Sequence, residues 1–124
     1  MKRILIADDK ATGRELVRTI LEADGYEVHE AVDGLHAVSQ ARDLHPHLLI
    51  LDLHMPGLDG FEVVAVLRRE AAFTSTPILA LTASAMMGDR ERALAAGFTG
   101  YVSKPIRMVE FRAEIKRLLE SESS

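Results

Sequence analysis

The chain has 124 residues with 15 basic and 19 acidic side chains, a net charge of −4 at neutral pH. That length fits one globular domain and excludes a second of comparable size, while 48% hydrophobic and 27% charged residues exclude global disorder. Cysteine is absent, which removes disulfides, thiolate nucleophiles and cysteine-ligated zinc, and the weakly acidic balance argues against nucleic-acid binding by charge alone.

In chain order, Ile4–Ala7 is a continuously apolar run, the pattern of a strand buried on both faces of a parallel sheet. It follows Met1-Lys2-Arg3 and so begins like a signal peptide, but Asp8 and Asp9 end it short of the roughly 7–15 apolar residues such a segment needs. Leu16, Val17, Ile20 and Leu21 then share a helical face, closed by Gly25. Tyr26–Ala31 alternates apolar with polar residues and reads as a half-exposed edge strand. Leu35, Val38 and Ala41 stripe a second helix, before the apolar strand Leu48–Leu51. Phe61, Val64, Ala65 and the stem of Arg68 stripe a third, and Pro77 precedes the apolar strand Ile78–Leu81. Residues 85–96, with Met86-Met87 at the start and Gly88 inside, form the weakest helix, stopped by Gly97. Tyr101–Ser103 is a fifth, weaker strand, and Met108, Phe111, Ile115, Leu118 and Leu119 mark the clearest amphipathic helix. The expected domain spans residues 1–120, with Ser121 to Ser124 as a polar tail. Nowhere does an apolar stretch approach the ~20 residues of a membrane span, so a cytoplasmic protein without membrane insertion or direct nucleic-acid binding is expected.

Strand alternating with helix five times predicts an α/β fold, a three-layer sandwich with a parallel five-stranded sheet. With the alternating strand at an edge and the apolar runs inside, the strand order is 2-1-3-4-5, the flavodoxin-like arrangement.

The residues that follow the strands carry the chemistry. The first strand ends in Asp8-Asp9, the third in Asp52, the fourth in Thr82 and the fifth in Lys104-Pro105. Singly, such residues are helix caps or turn formers; because parallel strands share direction, all of them converge on one rim. Crowded carboxylates raise one another's pKa unless a cation sits among them. An oxygen-only donor set suits Mg²⁺, with Mn²⁺ as a substitute. A carboxylate is also a nucleophile toward phosphorus, and phosphoryl transfer needs mainly positioning and charge neutralisation, which a metal ion, the Lys104 ammonium and the Thr82 hydroxyl would supply.

With Asp8-Asp9, the segment Asp52-Leu53-His54-Met55-Pro56-Gly57-Leu58-Asp59-Gly60, Thr82-Ala83 and Tyr101-Val102-Ser103-Lys104-Pro105 in this order and spacing, the chain resembles the receiver domain of two-component response regulators over essentially its whole length. The resemblance implies that Asp52 accepts a phosphoryl group from a histidine kinase or histidine phosphotransfer protein. It implies that Asp9 and Asp52 bind Mg²⁺ directly with the His54 carbonyl, that Asp8 acts through water, and that Lys104-Pro105 is cis. It further implies that Thr82 and Tyr101 form a switch, which remodels a partner-binding face made by the fourth helix, fifth strand and fifth helix. Thr82-Ala83-Ser84-Ala85-Met86-Met87-Gly88-Asp89 is similar to stand-alone DivK-type regulators and to receivers of hybrid kinases. Such a domain signals by phosphorylation-dependent protein contact and is not an enzyme with an external substrate, although it catalyses its own phosphotransfer and dephosphorylation. Met1 and the stop after the fifth helix lead us to expect a complete protein rather than a domain excised from a hybrid kinase.

Several residues depart from the pattern or invite a second reading. Lys10 stands where the family often has Asn or Asp; it is either a solvated lysine or a competitor of Mg²⁺. The His54 ring either faces solvent or sits beside the phosphoryl group. Ser84 is small and implies a site open to water. Met86 and Met87 suit an adaptable partner surface or ordinary helix packing equally. His45-Pro46-His47 looks like a metal pair but sits in a Pro-bearing loop without further ligands, and His29 and His36 carry no site signal. Two other functions compete. A small Mg²⁺-dependent phosphohydrolase of the haloacid-dehalogenase type also forms an aspartyl phosphate, but usually carries a second acid where this chain has His54, and needs a cap or more chain. A flavodoxin-like nucleotide or flavin binder would need a donor-rich loop where Asp8 to Gly13 is acidic.

Overall fold

The apolar runs form the middle of a five-stranded parallel sheet in the computed structural model, which describes residues 1–83 and 88–122. The elements are β1 (Arg3–Ala7), α1 (Ala11–Ala23), β2 (Glu27–Ala31), α2 (Gly34–Leu44), β3 (Leu48–Asp52), α3 (Gly60–Arg68), a 3-10 turn over Ala71–Phe73, β4 (Ile78–Thr82), α4 (Asp89–Ala96), β5 (Gly100–Ser103) and α5 (Met108–Glu122). The strand order is β2-β1-β3-β4-β5, with every neighbouring pair parallel, as the pattern of apolar and alternating strands predicts. α5 runs into the segment expected as a polar tail. Ser84, Met86 and Met87, on which expectations about water access and partner contact rested, lie outside the described residues, as do Ser123 and Ser124.

Side-chain alternation along the strands divides the core into two layers. Ile4, Ile6, Ile50, Leu79 and Leu81 pack toward Val17, Ile20 and Leu21 of α1 and Phe111, Ile115 and Leu118 of α5. Leu5, Leu49, Leu51, Ile78 and Ala80 pack toward Ala37 and Val38 of α2, Val63, Val64 and Leu67 of α3, and Ala93 of α4. Helices on both faces explain why β3 and β4 are buried along their whole length.

Four assignments of core residues are corrected. Leu16 is 50% and Leu35 70% exposed, and Ala65 and Met108 also face solvent. In α1 the buried stripe is Val17, Ile20 and Leu21, and Leu16 lies off it by one residue's helical rotation. In α2 the small residues Ala37 and Ala41 flank Val38 against the sheet, so the largest apolar side chain is not the buried one. In α3 the stripe is Val63, Val64 and Leu67, and Met108 sits at the start of α5 before the helix meets the core. Gly88 has φ 88° and precedes α4 rather than lying inside it, since a left-handed residue cannot continue a right-handed helix.

Candidate functional site

Because all five strands run the same way, their carboxyl ends open on one rim of the sheet. Asp8 follows β1, Asp52 and Thr82 are the last residues of β3 and β4, and Lys104 follows β5. Asp8 and Thr82 are 0% exposed and Asp52 only 5%, whereas Asp9 is exposed at the mouth. One carboxylate oxygen from each of Asp8, Asp9 and Asp52 lies within 4.8 Å of the others. Oxygen donors alone, two of them buried and all convergent, fit a hard cation such as Mg²⁺.

Backbone N–H groups hold the two buried carboxylates. The Lys10 N–H donates to Asp8 Oδ1 at 2.9 Å, and the Asp8 carbonyl accepts from Arg14 Nη1 at 2.7 Å. The His54 N–H donates to Asp52 Oδ1 at 3.0 Å. The Lys104 N–H donates to the Thr82 carbonyl at 2.7 Å, fixing where the chain leaves β5. Its ammonium donates to Asp8 Oδ2 at 3.0 Å and stands 3.7 Å from Asp52 Oδ2. α3 starts hard against the same loop: a Cβ on Gly60 would lie 2.7 Å from the Asp52 carbonyl oxygen. Asp59 caps this helix in a capping box with Glu62, with bonds of 2.9 and 3.1 Å.

Burial pushes the Asp52 carboxyl above the usual carboxylate range. The His54 N–H and the Lys104 ammonium oppose that rise, and neighbouring Asp8 adds to it. With the folded pKa above the unfolded one, the native state binds more protons between the two values, so stability falls as pH rises through that window. Asp52→Asn is therefore expected to stabilise the metal-free protein at pH 7 by about 0.5–2 kcal/mol, the usual yield of a single stabilising substitution. The gain should vanish below the ordinary carboxylate range. Urea denaturation of both proteins across pH 3–8 checks it; an equal difference at both ends would mean that Asp52 carries no such burial penalty.

The family of the response regulator receiver domain matches residues 4–116. The chain belongs to that family. This receiver is 37% identical over 118 residues to the polar-differentiation response regulator DivK of Brucella ovis, covering 95% of the chain and 96% of that protein. Among solved structures it is similar to the chemotaxis protein CheY4 of Vibrio cholerae, at 32% identity and a TM-score of 0.89 over 95% of this chain and 98% of that one. The receiver domain of sensor histidine kinase PA1611 from Pseudomonas aeruginosa, described with a magnesium ion coordinated in its active-site cleft, is 31% identical with a TM-score of 0.88, over 96% and 98%.

The remaining residues singled out by sequence fall as follows in this receiver. The Lys104–Pro105 peptide is cis. Tyr101 packs its ring against the α2–α3–α4 layer, and its hydroxyl is buried with no hydrogen-bond partner among the described residues. Burial, then Asp89 and Glu91, raise its pKa. Lys10 and the His54 side chain are exposed. His45 stacks on Phe73 and His47 Nδ1 accepts the Arg3 N–H, so that pair is structural. His29 pairs with Glu27, and His36 Nδ1 accepts the Val32 N–H. Sequence reasoning missed Arg14, which joins the Asp8 carbonyl to Glu30 on β2; its partners are a main-chain oxygen and an edge-strand carboxylate, which no local motif displays. Among the described residues no helix is long and apolar enough to cross a membrane.

Proposed function

We propose that this receiver, comprising residues 1–120, works in a cytoplasmic phosphorelay, with Asp52 accepting a phosphoryl group from a histidine kinase or histidine phosphotransfer protein. The observation that carries the reading is the Asp52 carboxylate, buried yet flanked by two further carboxylates and the Lys104 ammonium at the open end of the sheet. An Asp52 oxygen forms the new bond to phosphorus as the P–N bond of the donor phosphohistidine breaks, and the freed imidazole keeps that bond's electron pair. Asp8, Asp9, Asp52 and the His54 carbonyl would hold Mg²⁺, which supplies neutralisation of charge on the phosphoryl oxygens when bound; the magnesium-bearing relative at 31% identity supports that assignment. Lys104 neutralises a second oxygen, and Thr82 offers a hydroxyl toward the same group. Hydrolysis of the acyl phosphate by water resets the site.

Output then passes by non-covalent contact with a protein at the α4–β5–α5 face, Thr82 and Tyr101 linking it to Asp52. A dianionic group on Asp52 recruits donors and biases a two-state element, as other phosphoryl switches do.

The test is to incubate the protein with Mg²⁺ and acetyl phosphate, measure intact mass, and trap the adduct with a hydride reductant. A single phosphoryl gain that disappears in Asp52→Asn is the expected result. No adduct, or rapid turnover of many phosphoesters, would instead fit an unrelated site or a phosphohydrolase.

A further inference from the structure

The third residue of α1 is Gly13, a poor helix former at a place where no turn asks for one. Its surroundings give a reason. A Cβ at this position would stand 2.6 Å from Asp8 Oδ2 and 3.4 Å from Asp8 Cγ, with Lys104 Nζ 3.8 Å away. Contacts that short do not persist, so one partner must move. α1 is fixed by Val17, Ile20 and Leu21 packed into the core. Asp8 is fully buried, with Oδ1 bound to the Lys10 N–H and Oδ2 to the Lys104 ammonium. The carboxylate would yield by turning away from α1, and turning breaks the bond to Lys104.

We infer that Gly13 is a positioning residue of the acidic site: its missing side chain is the space that the Asp8 carboxylate occupies, and through Asp8 it sets where the Lys104 ammonium stands relative to Asp52. On its outer side Gly13 lines a cavity of about 320 Å³ together with Leu16, Lys104, Pro105 and Ile106, among others. Gly13 thus borders both that cavity and the buried carboxylate.

A glycine retained merely by chance behaves differently from one retained for Asp8. In an ordinary helix interior Gly→Ala stabilises. Four proteins decide the matter by urea denaturation at pH 7 without metal: native, Gly13→Ala, Asp8→Ala and the double variant. Gly13→Ala should raise the urea midpoint in the Asp8→Ala background, and should fail to raise it, or lower it, when Asp8 is present. Equal midpoint shifts in the two backgrounds would overturn the inference. If Gly13→Ala does not fold while the double variant does, the same coupling is seen at its extreme.

A second arm rests on the proposal that the carboxylates hold Mg²⁺. Calorimetric titration of Gly13→Ala with Mg²⁺ should show affinity about tenfold below native, as for other residues that orient metal ligands; unchanged affinity would count against the inference. If the native protein itself takes up no Mg²⁺, the metal assignment fails, and the denaturation cycle still decides the role of Gly13.

Discussion

Lys104→Ala is expected to slow phosphorylation of Asp52 by acetyl phosphate about 100- to 1,000-fold, the usual loss when one preorganised charge-stabilising donor is removed. The ammonium stands 3.7 Å from Asp52 Oδ2 and is anchored by Asp8 at 3.0 Å, so no rearrangement of a long flexible side chain is needed as charge spreads over the phosphoryl oxygens. Its removal has a second consequence. Burial raises the Asp52 pKa and Asp8 adds to the rise, while the His54 N–H and Lys104 oppose it. Without Lys104 only the His54 N–H remains against burial, so the carboxyl moves further up and its protonated, non-nucleophilic form persists to higher pH. In the metal-free protein the variant's Asp52 carboxyl should therefore titrate above the native one. Lys104→Arg should recover little, because a planar guanidinium fork does not fit the place of a compact ammonium between two carboxylates. Intact-mass time courses with Mg²⁺ at several pH values measure the rate, and an NMR pH titration without metal follows the carboxyl. A variant within about threefold of native at every pH, less than 1 kcal/mol in barrier, would remove Lys104 from the machinery.

What the sequence displays and what it conceals separate along physical lines. Sheet order follows from whether a strand is apolar throughout, like Leu48–Leu51, or alternating, like Glu27–Ala31. The site follows from the same feature, since Asp8, Asp52, Thr82 and Lys104 interrupt or follow the strands and parallel direction gathers them. Helix faces are less legible. Leu35 is the larger apolar residue, yet Ala37 and Ala41 meet the sheet, because close approach of α2 selects for small volume as well as for hydrophobicity. Gly13 conveys nothing until the Asp8 carboxylate is seen in its missing side chain's place. His45 and His47 look like ligands on paper because their actual partners, the Phe73 ring and the Arg3 N–H, are remote in sequence. Arg68 is visible from sequence only as an aliphatic stem, because three of its four hydrogen-bond acceptors are main-chain carbonyls.

Arg68→Met is accordingly expected to destabilise the protein by about 2–4 kcal/mol, although it removes no apolar contact of note and no carboxylate pair. Arg68 Nε donates to the Gly97 carbonyl at 2.9 Å, Nη1 to the carbonyls of Phe73 and Thr76 at 2.6 and 2.7 Å, and Nη2 to Thr99 Oγ1 at 3.3 Å. One guanidinium thereby ties the end of α3 to the 3-10 turn, to the lead-in of β4 and to the stop of α4. Gly97, in a left-handed conformation with φ 116°, ends α4 with its carbonyl on the guanidinium, a cation at the negative end of the helix. Methionine preserves the stem, so the loss is that of charged hydrogen bonds to carbonyls, each costing about 1–3 kcal/mol when left unpaired out of water. Lysine would keep the charge but cannot span acceptors on three segments, so Arg68→Lys should recover only part of the loss. Burial lowers the Arg68 pKa, yet a guanidinium stays charged at any physiological pH, so the deficit should be flat from about pH 5 to pH 8. That flatness separates it from Asp52→Asn, whose effect follows a titration. Because Arg68 touches none of Asp8, Asp52 or Lys104, acetyl phosphate should still label the variant at Asp52, while the end of α4 on the proposed output face loses its anchor. A loss below about 1 kcal/mol in urea denaturation would mean that water serves those carbonyls equally well, and that the packing of Ala93, Ala96 and Phe98 and the Arg92–Phe61 contact suffice to hold α4.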